Sequence, residues 1–311
     1  MPKTRHIKNR IKEVGNITRI TKTMQLIATA QFQAAQRRAT ASQPYTRKIA
    51  ELVNEVASSM PAEGDATHPL LKAPSTKTGR ELILVITSNR GLAGAYNGNI
   101  LRTGQTYLRT HTDTKPVLEV VGKKGAAFLK YNKREVAAVH SQFTDKPSFI
   151  EVEKLAERYM KEFAEGKYDA VKVLSMQFIS MGRQVPGLTQ LLPMEDPAQK
   201  SKGEQRPGGA KSAVAKPDAA VKAKVVTEYE FSPNPAELLA ELLPITVKTR
   251  LFQAFIEAIV SEQLARMIAM KAATDAGKKM GKLLTRKYNR ARQAAITTEL
   301  TEIISGAAAL G

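Results

Sequence analysis

The N-terminal stretch RHIKNRIKEVGNITRITKTMQLIATAQ sets Ile7, Ile11, Val14, Ile17, Ile20, Met24 and Ile27 at successive steps of four, three, three, three, four and three residues. That spacing predicts a helix with one narrow apolar face, the kind that needs a second helix beside it. Gly15 and Asn16 lower the local helix propensity, and Pro44 is the first interruption. The stretch RKIAELVNEVASSM then carries the helical pattern on to Pro61. Far along the chain the same period returns. Phe252, Phe255, Ile256, Ile259, Leu264, Met267, Met270, Leu284, Tyr288, Ala291 and Ala295 keep to a common seam or lie just beside it. Pro244 is expected to kink the entry to this second helix, and Gly277 and Gly281 to bend or loosen its middle. A helix from Thr246 to Ser305 reaches roughly 90 Å at about 1.5 Å per residue, too long to wrap a small core. The two terminal helices therefore pair, and if both leave one face of a middle domain they run antiparallel with a left-handed supercoil.

The middle has a different grammar. ELILVITS (81–88), KPVLEVVG (115–122), DAVKVLSMQF (169–178), RQVPGLTQLLP and VVTEYEF read as strands. ILRTGQTYLRT (100–110), KKGAAFLKYN and FIEVEKLAERYMKEFAEGKY (149–168) read as helices between them. Alternation of this kind implies an open α/β sheet, at least partly parallel. The expected class is α+α/β: a long antiparallel coiled coil plus a Rossmann-like open sheet domain. The expected divisions are a coiled-coil helix over 1–60, an α/β domain over 78–231 and a coiled-coil helix over 236–306. Residues 195–224, rich in Pro, Gly, Ala and Lys, read as a mobile basic loop within the α/β domain.

Charge and composition narrow the partners. The formal net charge is +19, and Met1 to Lys48 holds eleven Lys or Arg residues against one acid, Glu13. A field of that sign favours nucleic acid, anionic lipid or an acidic protein surface. For the N-terminal helix, lysines that share a helix with an unbroken apolar stripe, without stacking aromatics, fit a packed helix better than one laid on phosphates. The chain has no cysteine, which excludes disulfides and thiol chemistry, and its four histidines lie far apart. No metal and no cofactor is expected. The N-terminus has charge but no apolar core of a secretory signal, and it reads as mature protein rather than as a transit peptide.

Candidate sites are few. ITSNRGLAGAYNGNI (86–100) has the strand, Gly-rich turn and helix of a phosphate loop, but it is neither GxGxxG nor GxxxxGK[ST]. It reads as a tight turn in which Gly91 and Gly94 permit positive φ or a close helix–strand approach. Ser88, His111 and Asp113 make no recognisable triad order. At the C-terminal end, Arg292 and Glu299 are seven residues apart on one side of the helix, and Gln293 and Thr297 are i,i+4 neighbours. The chain then ends in small residues, Gly306 to Ala309 among them.

Four stretches together carry a resemblance: ITKTMQLIATAQFQAAQ (20–36), SNRGLAGAYNGNI (88–100), SEQLARMIAMKAATDAG (261–277) and YNRARQAAITTELTEIISGAAAL (288–310). They resemble the γ subunits of F-type ATP synthases, in the same order and across nearly the whole chain. The resemblance implies a non-catalytic central rotor shaft, its paired helices inside a hexamer of α and β subunits. The α/β domain then forms the foot, beside the ε subunit and on the membrane ring of c subunits. It implies peripheral membrane association on the cytoplasmic face of a bacterial inner membrane, with no nucleic acid as partner. By position, Arg292, Gln293, Thr297 and Glu299 resemble residues that bond to loops of the hexamer, and Lys22 and Met24 those near an acidic lever of the β subunit. Tyr229, Phe231 and Ser232 fall where contact with the c-ring is expected. The sequence also departs from the family pattern. Asn89 and Ala93 stand where an acid and a cysteine are common, Gln31 replaces a frequent basic residue, and Ser232 occupies a place that is often acidic.

Overall fold

The computed structural model describes residues 2–59, 69–71, 78–111, 114–143, 146–194 and 234–310. The basic loop at 195–224, the strand expected at VVTEYEF, and Tyr229, Phe231 and Ser232 lie outside them. Among the described residues the chain runs α1 (Pro2–Ser59), β1 (Arg80–Ile86), α2 (Tyr96–Thr110), β2 (Lys115–Val121), α3 (Lys123–Tyr131), β3 (Ala138–His140), α4 (Phe149–Ala164), β4 (Ala170–Ser180), β5 (Arg183–Leu192) and α5 (Pro235–Leu310). The edge strand β3 was not foreseen: at three residues it is too short to show a period in the sequence.

α1 and α5 are the longest elements and pack along each other. Their 58 and 76 residues correspond to about 87 Å and about 114 Å of helix. The two run antiparallel in a fixed register. Gly277 lies against Thr18, the Thr274 hydroxyl donates to that of Thr21 at 2.9 Å, and the Ser42 hydroxyl donates to Gln253 at 3.2 Å. Between successive pairs, three and then 21 residues pass on both helices alike, so the register does not slip.

The seam differs from the stripe expected for α1. Covered positions run from Ile7 through Ile11, Val14, Thr18 and Thr21 to Val56 in steps that alternate four and three without a break. Ile17, Ile20 and Ile27 stand off this grid, 58%, 59% and 53% exposed. Consecutive steps of three drift around a helix with a period near 3.5, so the apolar run left the seam and two threonines took its place. Small partners make this possible. A Cβ on Gly277 would run into the Thr18 hydroxyl, so the glycine permits the close approach of the two helices there. The glycines therefore sit on the seam of a continuous helix instead of loosening it. Both internal prolines are also carried without ending a helix. The carbonyls they deprive of a donor belong to Thr40 and Ala240, both exposed and so within reach of solvent.

The sheet has the order β3-β2-β1-β4-β5, parallel except for β4 with β5. Alternation along β1 assigns its two faces. Leu82, Leu84 and Ile86 pack under α4 and the lower part of α5, while Ile83 and Val85 pack under α2 and α3. β1 is buried on both faces, which explains its continuous apolar run from Leu82 to Ile86. The first of these cores also takes in Val53 and Val56 of α1 and Leu243, Leu251 and Phe255 of α5, so one apolar core joins the domain to the foot of the rod.

One acid interrupts the apolar run of β2. Glu119, 4% exposed, faces α4, and one of its oxygens accepts hydrogen bonds from His140 Nε2 at 2.8 Å, Arg158 Nη2 at 2.5 Å and the Tyr159 hydroxyl at 2.7 Å. Burial by itself pushes this carboxyl up, but the bonds from His140 and Tyr159 and the charge of Arg158 outweigh it and hold it below the ordinary carboxylate range. The network ties the short edge strand and α4 to the centre of the sheet.

Two measurements check this packing. Gly277→Val is expected to lower stability by about 1–3 kcal/mol through overpacking at the seam, read as a fall in thermal midpoint. A midpoint equal to wild type would show that the helices do not meet there. Because the Glu119 pKa is lowered on folding, its contribution is present above the unfolded carboxylate pKa and disappears as pH falls through the lower folded value. Glu119→Gln should cost about 2 kcal/mol at neutral pH, and denaturant titrations across pH should show a flatter acid limb than wild type. Parallel acid limbs would exclude the network as the source.

Candidate functional site

The Gly-rich turn after β1 sits where ligands bind in many open α/β sheets, beside the strands at which the order reverses. Here β1 is that strand, flanked by β2 on one side and β4 on the other. The place is taken by the rod. A Cβ on Gly94 would lie 3.7 Å from the Ala265 carbonyl oxygen and 3.7 Å from the Ala269 Cβ, and Gly94 itself has φ +55°. Gly94 thus adopts the positive φ expected of it, while its neighbour is α5 at ordinary contact distance and not a closely approaching strand. Gly91 does not adopt positive φ; the neighbouring Leu92 does, at 63°. The turn is closed from within: the Ser88 hydroxyl donates to Arg90 O and accepts from Asn97 Nδ2, and Asn97 Oδ1 accepts from Ser88 N. Ser88 precedes α2 and His111 follows it, so the 15 residues of that helix separate them by about 22 Å. Asp113 lies outside the described residues.

The other candidate residues lie on the rod. Beyond Lys271, α5 is covered only at its seam positions, and from Ile296 to Ala308 every residue is exposed. The register explains this. Carried back to Pro2, it reaches the level of Gln293, and beyond that level α5 has no partner among the described residues. Arg292 and Gln293 stand where the two-helix section gives way to one, and Thr297 and Glu299 lie on the overhang. Among the described residues, Arg292, Gln293 and Glu299 make no side-chain hydrogen bond or ion pair, whereas the Thr297 hydroxyl donates to Gln293 O at 3.0 Å. Thr297 is therefore left with acceptor capacity only. Ile296, Leu300, Ile303 and Ile304 are 47% to 66% exposed on the same overhang.

Lys22 and Met24 are not brought together with Arg292. Thr21 faces Thr274, which puts Lys22 about 28 Å down the rod from Arg292. The Lys22 ammonium makes one long contact of 3.4 Å with Gln25 Oε1. Charge marks the whole section between these levels. Lys3 to Lys22 and Lys271 to Arg292 together hold fifteen Lys or Arg residues against Glu13 and Asp275, a net +13 of the chain's +19. Past Arg292 the sign reverses, and Glu299 and Glu302 are the only charged side chains.

Sequence reasoning missed a polar cluster in the middle of α5. Arg266 donates to Glu262 Oε1 at 2.5 Å and to Gln263 Oε1 at 2.8 Å, and all three are buried. The available signal was the Glu-x-x-x-Arg spacing of SEQLARM inside an otherwise apolar stretch. Among the described residues no group of His, Asp and Glu is placed to hold a metal ion, and no helix is long and apolar enough to cross a membrane.

The ATP synthase family profile matches residues 3–310. The ATP synthase gamma chain of Rhodopirellula baltica is 39% identical over 312 residues, covering 100% of this chain and 99% of that one. Among solved structures, a chain of the Euglena gracilis mitochondrial ATP synthase rotor, in rotational state 1, superposes with a TM-score of 0.61 at 19% identity, covering 95% of this chain and 99% of its own length. A chain of the same organism's enzyme from an OSCP/F1/c-ring structure in rotational state 3 gives a TM-score of 0.63 at 19% identity, over 99% and 95% of the two chains. These two share the fold: a sheet domain below a pair of long helices. With a family match over nearly the whole length and a relative well above 30% identity, the chain belongs to the ATP synthase gamma-chain family.

Proposed function

We propose that the chain is the non-catalytic central shaft of an ATP synthase, transmitting rotation of a c-ring to the catalytic β subunits. The observation that carries this reading is the bare upper rod: two helices in unslipped register, covered only where they touch each other, in a chain matched end to end by gamma chains. A rod of that kind has to be enclosed by something else. A hexamer of α and β subunits supplies the enclosure, and the sheet domain stands beside the ε subunit on the c-ring. The shaft belongs to a complex on the cytoplasmic face of a bacterial inner membrane and is held there through its partners.

Each level of the rod has its own task. The +13 band, with Lys22 and Met24 at its lower end, meets acidic segments of the β subunits. Arg292 and Gln293, whose side chains have no partner among the described residues, form charge-assisted hydrogen bonds to hexamer loops that change with the angle of rotation. Glu299 and the acceptor oxygen of Thr297 do the same one to two turns further on. The small residues from Gly306 onward keep the end from interlocking with its sleeve. Tyr229, Phe231 and Ser232 remain the proposed contact with the c-ring. The nucleic-acid alternative gains nothing from the structure, because the basic band lies on a rod whose one continuous seam is already filled by a helix.

Three experiments test this. Co-purification of the tagged chain with α and β subunits is expected, and its absence would overturn the assignment. Arg292→Ala with Gln293→Ala should leave assembly intact and slow coupled ATP synthesis about tenfold, the loss of about 1.4 kcal/mol of hydrogen bonding; an unaltered rate removes these residues from the coupling. Ala307→Phe with Ala308→Phe should slow rotation of the assembled complex, and free rotation at wild-type speed would count against a low-friction tip.

A further inference from the structure

One helix of the sheet domain is fastened by charged bonds to two different neighbours. On the side of the rod, the Lys248 ammonium of α5 donates to Glu153 Oε1 at 2.8 Å and to Glu157 Oε1 at 2.7 Å, both on α4. On the side of the sheet, Arg158 and Tyr159 of the same helix donate to the Glu119 carboxylate of β2. α4 therefore stands between rod and sheet with a polar tie to each. Aromatic contacts accompany the first tie. The Phe149 ring meets Phe252 edge-on at 5.3 Å, and Phe143 in the loop after β3 lies 4.7 Å from Phe255. From Phe149 to Glu153 along α4 the partners step back from Phe252 to Lys248 along α5, so the two helices run antiparallel there.

The Lys248 side chain is 17% exposed and the two carboxylates 32% and 54%, so screening by solvent leaves the tie little weight in overall stability. Its geometry has another consequence. Apolar contact holds surfaces together without preferring one alignment, whereas hydrogen bonds weaken steeply when stretched or bent. At the outer radius of a helix, roughly 5–6 Å, a turn of about 10° moves a group sideways by about 1 Å. Turning α5 against α4 therefore draws the ammonium away from both carboxylates. Sliding α5 along α4 draws it from one of them, because Glu153 and Glu157 are neighbours one helical turn apart. With its stem mostly covered, Lys248 has little freedom to follow. Hydrogen bonds to Glu153 and then to Glu157 raise its pKa above the ordinary lysine value, so the tie keeps its charge at neutral pH. We propose that Lys248 is the positioning residue of a torsional tie in which α4 passes twist between the sheet domain and the rod. Glu153 and Glu157 hold α5, and Arg158 and Tyr159 hold the sheet through Glu119. This inference rests on the shaft reading above, and it identifies a place within the chain where twist crosses from domain to rod.

The test uses the chain assembled with α and β subunits and fixed to a surface through the hexamer. The chain has no cysteine, so a bead is attached at a single introduced one. One site is Tyr131→Cys on the sheet domain, and the other is Arg37→Cys on α1, above the tie; both positions are exposed. With the motor stalled, the spread of bead angles reads torsional stiffness. Lys248→Met keeps most of the stem and removes the charge. The spread should widen for the bead at position 131 and stay as in wild type for the bead at position 37, with assembly and thermal midpoint unchanged. Lys248→Glu should widen it further, and adding Glu153→Lys with Glu157→Lys should bring it back toward wild type. Equal spreads in wild type and Lys248→Met would overturn the tie. So would a widening that appears equally at both bead positions, or one that reversal of all three charges fails to narrow. If Lys248→Glu does not assemble, Lys248→Met against the charge-keeping Lys248→Arg reads the same quantity, and equal spreads again overturn the tie. A wild-type complex that forms but shows no rotation would instead overturn the shaft reading, and the tie with it.

Discussion

The antiparallel seam between α1 and α5 is the contact on which the rest of the structure depends. Each helix is far longer than any core the sheet could offer it, and most helical stability in water comes from packing rather than propensity. Without its partner the upper half of either helix would have only solvent beside it. The register that pairs Thr18 with Gly277 and Ser42 with Gln253 therefore also sets the external geometry. It decides which residues of α5 stand level with the first described residues of α1 and which lie beyond them.

The sheet domain answers a different requirement. A rod that turns inside a sleeve needs a body to be turned by. The domain supplies it by sharing its core with the lower rod, which locks the two into one unit. The same arrangement closes the crevice that an open α/β sheet commonly uses for a ligand. α5 occupies the place beside the Gly-rich turn, so the likeness of that turn to a phosphate loop is a likeness of layout and not of use.

Much of this was legible in the chain. Heptad-like spacing at both ends, with alternating strands and helices between, gave the coiled coil and the open sheet, and the Gly-rich turn was read as structural. The misreadings share a cause. Ile17, Ile20 and Ile27 looked like seam because they are apolar, whereas the seam takes Thr18 and Thr21. Their places were decided by close approach to Gly277 and Thr274 more than two hundred residues away, which no local window contains. Pro44 looked like an interruption because propensity counts against it, yet packing on both flanks carried the helix through. Glu119 passed unnoticed in β2 because its three donors come from β3 and α4.

By itself the sequence determined the period of each helix, the alternation of the middle, the surplus of positive charge and the polar residues of the tip, since all of these are properties of near neighbours along the chain. Only the tertiary structure decided which face of α1 is seam, how far α5 projects, that Arg292 and Lys22 stand at separate levels, and that Glu262 and Arg266 are buried at the neck. Those outcomes depend on the register between two distant segments, and register is fixed by the fit of side chains from both helices at once.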